Sequence, residues 1–400
     1  MSATVLIALA AASFAAWLFL LGFRHGFWRA DQRLGDAPPP ARWPAVTAVI
    51  PARDEAATIG RVVRALLDQH YPGALSVVVV DDNSDDGTAA LAEQAAAGSD
   101  RVLLVEGQPL EPGWTGKLWA MHQGIAAARA RWPETGYLLL TDADILHDPT
   151  NVRRLVAKAT AEGRDLVSLM VRLHCASAVE KLLIPAFVFF FQKLYPFPAA
   201  NDPEHPVAAA AGGCMLVRRQ ALEQAGGVAA IRGALIDDCA LAAAIKKNGP
   251  IWIGLAERTE SLRPYRGLGD IWDMVARTAY TQLDHSLVNL LTTVLGMAVL
   301  YLVPPIALVW GAVAENVPLL AAGAAGFALM LIAYRPTWSL YARRLGPAFF
   351  ALPLAALLYT LSTVASALRH WRGRGGAWKG RTYPAETRAK TTVEFPSRPG

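Results

Sequence analysis

Residues Tyr137–Asp144 read YLLLTDAD. One tyrosine and three leucines make the short apolar run of a strand buried on both faces of a parallel sheet. The run stops at Asp142 and Asp144, separated only by Ala143. Open α/β sheets bind ligands at the carboxyl ends of their strands, so two acids one residue apart at such an edge can point into one crevice. Mg²⁺ uses few carboxylates and completes its shell with phosphate oxygens of a substrate. The D-x-D therefore reads as a clamp for a metal–diphosphate, against the bland alternative of a solvated turn.

Three further runs precede it. Val46–Ile50 ends in Pro51–Ala52–Arg53–Asp54–Glu55, and a helical pattern follows from Ala56 to Asp68. Leu75–Val80 ends in Asp81–Asp82–Asn83–Ser84–Asp85–Asp86–Gly87–Thr88 and another helix. Arg101–Glu106 is a third strand, and Trp114–Thr115–Gly116–Lys117 opens a helix to about Arg131. Strand-then-helix repetition predicts a parallel sheet, with the acid-tipped loops at one edge. No G-x-G-x-x-G follows the first strand and no G-x-x-x-x-G-K-[ST] is present, which excludes the two glycine-rich nucleotide fingerprints. Lys117 sits at a helix N-terminus, where backbone N–H groups favour phosphate. Acids for a metal and a base, plus a lysine for phosphate, suit a nucleotide-diphosphate donor. Asp85 and Asp86 read as a solvated turn, with Thr88 as the N-cap.

The rest of the composition points to a membrane. Of 400 residues, 54% are hydrophobic, mean hydropathy is +0.28, and the excess lies at the two ends. Net charge is +5, with the basic surplus beside the apolar segments, which fits anionic headgroups better than nucleic acid. Cys175, Cys214 and Cys239 form no C-x-x-C, so neither a disulfide frame nor a zinc site is expected. Thr4–Phe23 carries no charge and is followed by Arg24, Arg29 and Arg33, which predicts a retained anchor with the next domain in the cytosol. Leu287–Val313, Val317–Tyr334 and Ala348–Leu368 are three more apolar stretches. Basic residues flank the last on both sides, so it is expected to be a re-entrant or interfacial hairpin that keeps the tail cytosolic. The expected division is an anchor at 1–23, a linker at 24–44, a catalytic domain at 45–285, a membrane region at 286–368 and a basic tail at 369–400, disordered after about Thr387. The Phe-rich Leu182–Phe197 reads either as a core helix or as an interfacial helix guiding a lipid.

Four motifs together, VIPARDE (Val49–Glu55), VVVVDDNSDDGT (Val77–Thr88), GKLWAMHQG (Gly116–Gly124) and LLLTDAD (Leu138–Asp144), make the chain resemble the family 2 inverting glycosyltransferases. The resemblance implies an α/β, GT-A, Rossmann-like parallel-sheet nucleotide-binding domain with N- and C-terminal transmembrane helices. DLVSLMVRLHC (Asp165–Cys175), PAFVFFFQKLYPF (Pro185–Phe197), AAAAGGCMLVRR (Ala208–Arg219) and IRGALIDDCALA (Ile231–Ala242) are similar to the hopene-associated glycosyltransferases of bacterial hopanoid pathways. Carried over residue by residue, Pro51, Ala52, Arg53 and Glu55 would line the nucleotide pocket. Asp81 or Asp82 would read the base, with Asp82 favoured, and Lys117 would lie near the diphosphate. Asp142 and Asp144 would hold Mg²⁺ or Mn²⁺, Asp144 as the direct ligand. Asp238 would be the general base and Asp237 its partner, although both could simply cap the helix that follows. Gly212, Gly213 and Cys214 would face the acceptor, although small residues there also suit a tight strand entry. The Q-x-x-R-W of the family's membrane synthases is absent. Arg277 and Tyr280 stand in part in its place, which favours a single transfer over polymer synthesis. The implied partners are a nucleotide-diphospho-sugar, a lipid acceptor and the inner membrane of a bacterium, with no nucleic acid and no protein partner named. Another lipid (ceramide-like, diacylglycerol or polyprenyl phosphate) is the acceptor alternative, and a catalytically silent lipid-binding partner is the rival of another class.

Overall fold

The computed structural model describes residues 3–342, 344–373, 377–378 and 381–382. In chain order the elements begin with α1 (Ala3–Phe23), β1 (Val46–Ala52), α2 (Ile59–Leu67), β2 (Leu75–Asp81), α3 (Thr88–Ala96), β3 (Val102–Glu106), α4 (Gly116–Arg131), β4 (Tyr137–Thr141) and β5 (Ile145–Leu146). Then come α5 (Asn151–Ala161), β6 (Leu166–Arg172), α6 (Ala178–Leu194), α7 (Phe197–Asn201), β7 (Cys214–Arg218), α8 (Arg219–Gln224), α9 (Asp237–Lys246) and β8 (Ile251–Ser261). The chain continues with α10 (Leu268–Ala276), α11 (Leu287–Met297), α12 (Val303–Val313), α13 (Val317–Ser339), α14 (Pro347–Phe350), α15 (Leu352–Trp371), β9 (Ala377–Trp378) and β10 (Arg381–Thr382). The tail motif at Trp378–Arg381 falls partly, and the expectation of disorder after Thr387 wholly, outside the described residues.

The chain forms two compact units. Among the described residues, one draws on the stretches 31–174 and 199–263, with 377–378 and 381–382; the other draws on the stretches 1–30, 175–198 and 264–375. The first unit carries an eight-stranded sheet in the order β3-β2-β1-β4-β7-β6-β8-β5. The four strands read from the sequence are parallel, with Val46–Ala52 in register with Leu75–Asp81 and Val46–Val49 with Tyr137–Leu140. The half beyond β4 is mixed: β7 runs antiparallel to β4 and β6, while β6 and β8 are parallel.

Both faces of the sheet are covered. Strand period two sends Ala48, Ile50, Val77, Val79 and Leu139 into one core with α2, α3 and α5. It sends Val49, Val78, Val80, Leu138 and Leu140 into the other, with α4 and α9. Helix α4 lies close on its face: a Cβ on Gly124 would sit 2.6 Å from Val49 Cγ1 and 2.8 Å from Val80 Cγ2. Helix α2 begins at Ile59 rather than Ala56. The N–H groups of Asp54, Glu55 and Ala56 are committed to Ser84 Oγ, Thr88 Oγ1 and Asp86 Oδ2 of the neighbouring loop, at 3.0, 2.8 and 2.9 Å. Thr88 is thus the first helical residue after Gly87, not a side-chain cap, and Asp86 ties two loops together rather than lying free.

The second unit is apolar and helical. Thr4–Phe23, Leu287–Val313, Val317–Ser339 and Leu352–Trp371 are each long and apolar enough to cross a bilayer. Ala348–Leu368, expected as a hairpin, is instead a four-residue turn of helix followed by the single helix α15. The Phe-rich α6 packs within this unit, and its rings meet Phe27, Tyr301, Tyr334 and Tyr359. Of the two readings of this segment, the core helix is the one its packing matches. A capping box between Ser177 and Glu180 opens the helix. Helices α12 and α13 form a hairpin with touching backbones: a Cβ on Gly311 would run into the Leu320 nitrogen, and one on Gly323 into the Leu308 nitrogen.

Backbone atoms cannot yield as a flexible side chain does, so Gly323→Leu must separate α12 from α13. The expected outcome is a melting midpoint in detergent lower by about 5 °C or more, while Gly346→Ala, whose Cβ meets nothing within 4 Å, leaves the midpoint unchanged. Equal midpoints for the two variants would contradict the close packing.

Candidate active site

Lys117 lies in the first turn of α4. Its ammonium is 2.9 Å from Asp142 Oδ1 at the tip of β4 and 3.1 Å from Asp237 Oδ2 at the start of α9. Acids suit a helix N-terminus electrostatically. Neither aspartate is the N-cap, which is Ile236 without a side-chain cap bond. Asp238 Oδ2 accepts the Gly212 N–H at 2.9 Å, and Oδ1 accepts the Cys239 N–H at 2.7 Å. Gly212 lets the backbone enter here, since a Cβ would stand 3.1 Å from Lys117 Nζ and 3.5 Å from Asp238 Oδ2. One cation thus gathers the D-x-D strand tip and the helix bearing Asp237 and Asp238.

The electrostatics follow. Burial disfavours the Lys117 charge, but Asp142, Asp237 and Asp238 outweigh it and raise its pKa. The Asp142 carboxyl is raised, by burial first, against the attraction of Lys117 and with the repulsion of Asp144 and Asp237. Asp238 is pushed up to about 6 by burial and then by Asp237; Lys117 and the two N–H donors hold it back. A carboxylate poised near neutrality is what a general base needs.

A second cation organises the other side. Asp144 Oδ2 accepts from Ser261 Oγ at 2.9 Å and from Arg263 Nε at 3.1 Å, and Arg263 Nη2 pairs with Glu55. Glu55 and Asp144, expected in one pocket, are therefore joined through a residue that sequence reasoning missed. The available signal was a basic residue just past the β-rich Ile251–Ser261 run, at the same edge as the acids.

The other expected residues divide. Arg53 Nη1 donates to Asp82 O at 2.6 Å and lies 3.7 Å from its carboxylate, while Arg53 Nε is buried without a hydrogen-bond partner. Asp82 is 1% exposed, whereas Asp81 at the strand end is partly accessible and accepts from the Ser84 hydroxyl at 2.5 Å. Asp54 and Asn83 hold φ of +52° and +54° in these loops, a strained backbone of the kind binding loops retain. Pro51 and Ala52 do not line a pocket, because β1 extends two residues past Ile50 and buries both. Gly213 contributes its carbonyl to Thr141 Oγ1 at 2.8 Å. Cys214 is not an acceptor contact. It points into the core at 0% exposure, and burial pushes its thiol up to about 12. Arg277 and Tyr280 belong to the apolar helical unit. Arg277 is exposed there, while Tyr280 is 2% exposed and donates its hydroxyl to His285 O at 2.8 Å. Packing against His285, His370 and Trp371 makes Tyr280 a core residue, not an acceptor ligand.

Behind the D-x-D lies a polar chain. Thr141 Oγ1 donates to Gly213 O, so it accepts from His147 Nε2 at 2.9 Å, and His147 Nδ1 accepts from Asn151 Nδ2 at 2.9 Å. This chain needs the neutral imidazole, and burial lowers its pKa to about 4.

Asp142 and Asp144 are oxygen donors on one strand tip, and no group of three or more His, Cys, Asp or Glu is placed to hold a metal among the described residues. Such a donor set fits a hard cation completed by diphosphate and water, not an all-protein cage.

Comparison with known proteins agrees with this architecture. Residues 47–226 match Glycosyl transferase family 2, so this segment is a family 2 glycosyltransferase domain, with the GT-A fold. The succinoglycan biosynthesis protein ExoO of Rhizobium meliloti is 36% identical over 166 residues, 38% of this chain and 44% of that protein. The 4,4'-diaponeurosporenoate glycosyltransferase of Staphylococcus aureus is 33% identical over 101 residues, 25% and 24% of the two chains. The chain thus spans less than half the length of these relatives. A mannosyltransferase of Pyrobaculum calidifontis, solved with GDP-Man and Mn²⁺, superposes with a TM-score of 0.59 at 20% identity, over 92% of this chain and 98% of that one, a likeness of fold.

The buried His147 makes a pH test. Its folded pKa lies below the unfolded value near 6.5, so its contribution is present above pH 6.5 and is lost as pH falls to about 4. The full loss is about 3 kcal/mol. Asp238, raised to about 6, acts in the opposite direction over nearly the same range. The reading is therefore the difference in melting midpoint between wild type and His147→Gln, which is expected to shrink from pH 7 to pH 4. A constant difference would mean that His147 is not held neutral.

Proposed function

We propose that a chain built on this family 2 domain is a membrane-bound, inverting glycosyltransferase that moves one sugar from a nucleotide-diphospho-sugar to the hydroxyl of a lipid acceptor. The observation that carries this reading is the Asp238 carboxylate, raised to about 6 and fixed by two backbone N–H groups, beside a lysine that also holds the D-x-D. In the reaction Asp238 takes the proton of the acceptor hydroxyl as its oxygen attacks the anomeric carbon. The bond from that carbon to the diphosphate breaks on the opposite face, and the nucleoside diphosphate leaves with the electron pair. One displacement of this kind inverts the anomeric centre. Asp237 keeps Lys117 against Asp142 and raises the basicity of Asp238. Asp142 and Asp144 would hold Mg²⁺ or Mn²⁺, which neutralises the charge developing on the diphosphate. Arg53, Glu55, Asp81 and Asp82 form the nucleotide side.

Four apolar helices support a membrane-embedded acceptor. The motif resemblance favours a hopanoid or related polyisoprenoid in a bacterial inner membrane, with the catalytic unit facing the cytosol. The four acids gathered at one edge speak against a silent lipid-binding partner, which has no use for them together.

The test offers UDP-, GDP- and dTDP-sugars with Mg²⁺ or Mn²⁺ to the protein in nanodiscs, and follows nucleotide release with and without hopanoid lipid. Lipid-stimulated release is expected, falling about 10³-fold in Asp238→Asn and lost with EDTA. Absence of turnover with every donor would overturn the reading. The pH profile adds a signed expectation: kcat/KM rises with pH through about 6 as Asp238 loses its proton. In Lys117→Met the rise moves to higher pH, because Lys117 lowers the pKa of Asp238. A limb that stays in place would remove Lys117 from the base's surroundings.

A further inference from the structure

We propose that Arg24, Lys193 and Tyr301, within the apolar helical unit, form a site for the phosphate of an anionic lipid headgroup. Arg24 ends the uncharged run of α1, where a spanning helix leaves the hydrocarbon. Its guanidinium donates to the carbonyls of Lys193 and Leu194 at 3.3–3.4 Å, the C-terminal end of α6. Those carbonyls offer about half a negative charge between them. The Lys193 ammonium donates to Tyr301 Oη at 2.9 Å and lies 3.7 Å from Met297 Sδ. It stands over the rings of Tyr301 and Phe190, with centroids 4.6 and 5.3 Å away. Every one of these partners is neutral.

Two neighbouring cations in an apolar setting are costly unless a counter-charge is near. Neither is in an ion pair among the described residues. The unit has little to offer one. Its stretches of chain hold twelve Lys and Arg but five acids, Glu180, Asp270, Asp273, Asp284 and Glu315. Glu180 accepts N–H groups of Ala176, Ser177 and Tyr265, and Asp273 pairs with Arg369.

The surrounding backbone is adapted to the place. Tyr301 lies in the π-helical segment Ala298–Leu302 between α11 and α12, and such segments recur at functional sites. Trp17 of α1 takes the Leu300 carbonyl of that segment at 2.9 Å and meets Tyr301 edge to face at 5.4 Å. Tyr301 is held in place by this arrangement, with its hydroxyl on the ammonium. A phosphate supplies the missing charge and acceptor oxygens for both cations, while the buried phenol positions the ammonium. Carried on a lipid, it reaches the end of α1 from the bilayer.

The experiment is native mass spectrometry of the detergent-purified full chain with phosphatidylglycerol, phosphatidylcholine or inorganic phosphate. The expected result is tighter binding of phosphatidylglycerol than of phosphatidylcholine by about tenfold. That preference should be lost in Lys193→Met and in Arg24→Gln, reduced in Tyr301→Phe, and retained in Arg372→Gln. Arg24→Gln keeps the test open if Lys193→Met fails to fold. No preference in wild type, or a preference unchanged in both cation variants, overturns the proposal. So does inorganic phosphate displacing the lipid completely at micromolar concentration, which would mark a soluble-anion site. None of these readings depends on sugar transfer.

Discussion

A single ammonium group inside a ring of carboxylates is the constraint on which the catalytic unit depends. Four aspartates at one sheet edge would repel one another strongly in a site removed from water. Lys117 makes the arrangement possible by standing between Asp142 and Asp237. Its position follows from α4, which is drawn onto the sheet at Gly124 and carries the lysine in its first turn. The glycine at 212 opens the facing side. The cation thus links the D-x-D strand tip to the helix that bears Asp238, and it holds down the pKa of that carboxyl.

Arg263 performs a parallel task for Asp144 and Glu55. The two members of the D-x-D are therefore held by different cations, one from α4 and one from beyond β8. The polar chain from Asn151 through His147 to Thr141 holds the strand tip from behind. Its buried neutral imidazole gives direction without adding charge to an already crowded site.

The apolar unit follows other rules. Small residues let α12 and α13 meet backbone to backbone, as expected where packing rather than water exclusion drives association. Its polar groups are few and mostly matched: the Gln192 amide meets Thr337 at 3.0 Å, and the Tyr359 hydroxyl meets Leu183 O at 3.0 Å. Arg24 and Lys193 are neighbouring cations of this unit that are in no ion pair among the described residues.

The strands Val46–Ala52, Leu75–Asp81 and Tyr137–Thr141, the acids at their tips and the apolar runs were legible in the sequence, because each is a local pattern. Period-two burial, a turn chemistry or about 20 uncharged residues needs no knowledge of distant neighbours. Asp142, Asp144, Asp237, Asp238 and Lys117 were legible as chemistry for the same reason. Their grouping around one ammonium was not, since it depends on sheet order and on the antiparallel insertion of β7 beside β4. The local signal at Arg263, a basic residue just past a strand, is weak, because only the fold brings it to Asp144 and Glu55. Cys214 and Tyr280 were misread because a short motif does not state which way a side chain points. Alternation along β7 turns Cys214 into the core, and the aromatic packing of α15 closes over Tyr280. Local sequence is enough to say which residues could do chemistry and which segments could leave water. Tertiary structure alone decided which charges meet, because electrostatic partners are set by distance in space and not by separation along the chain.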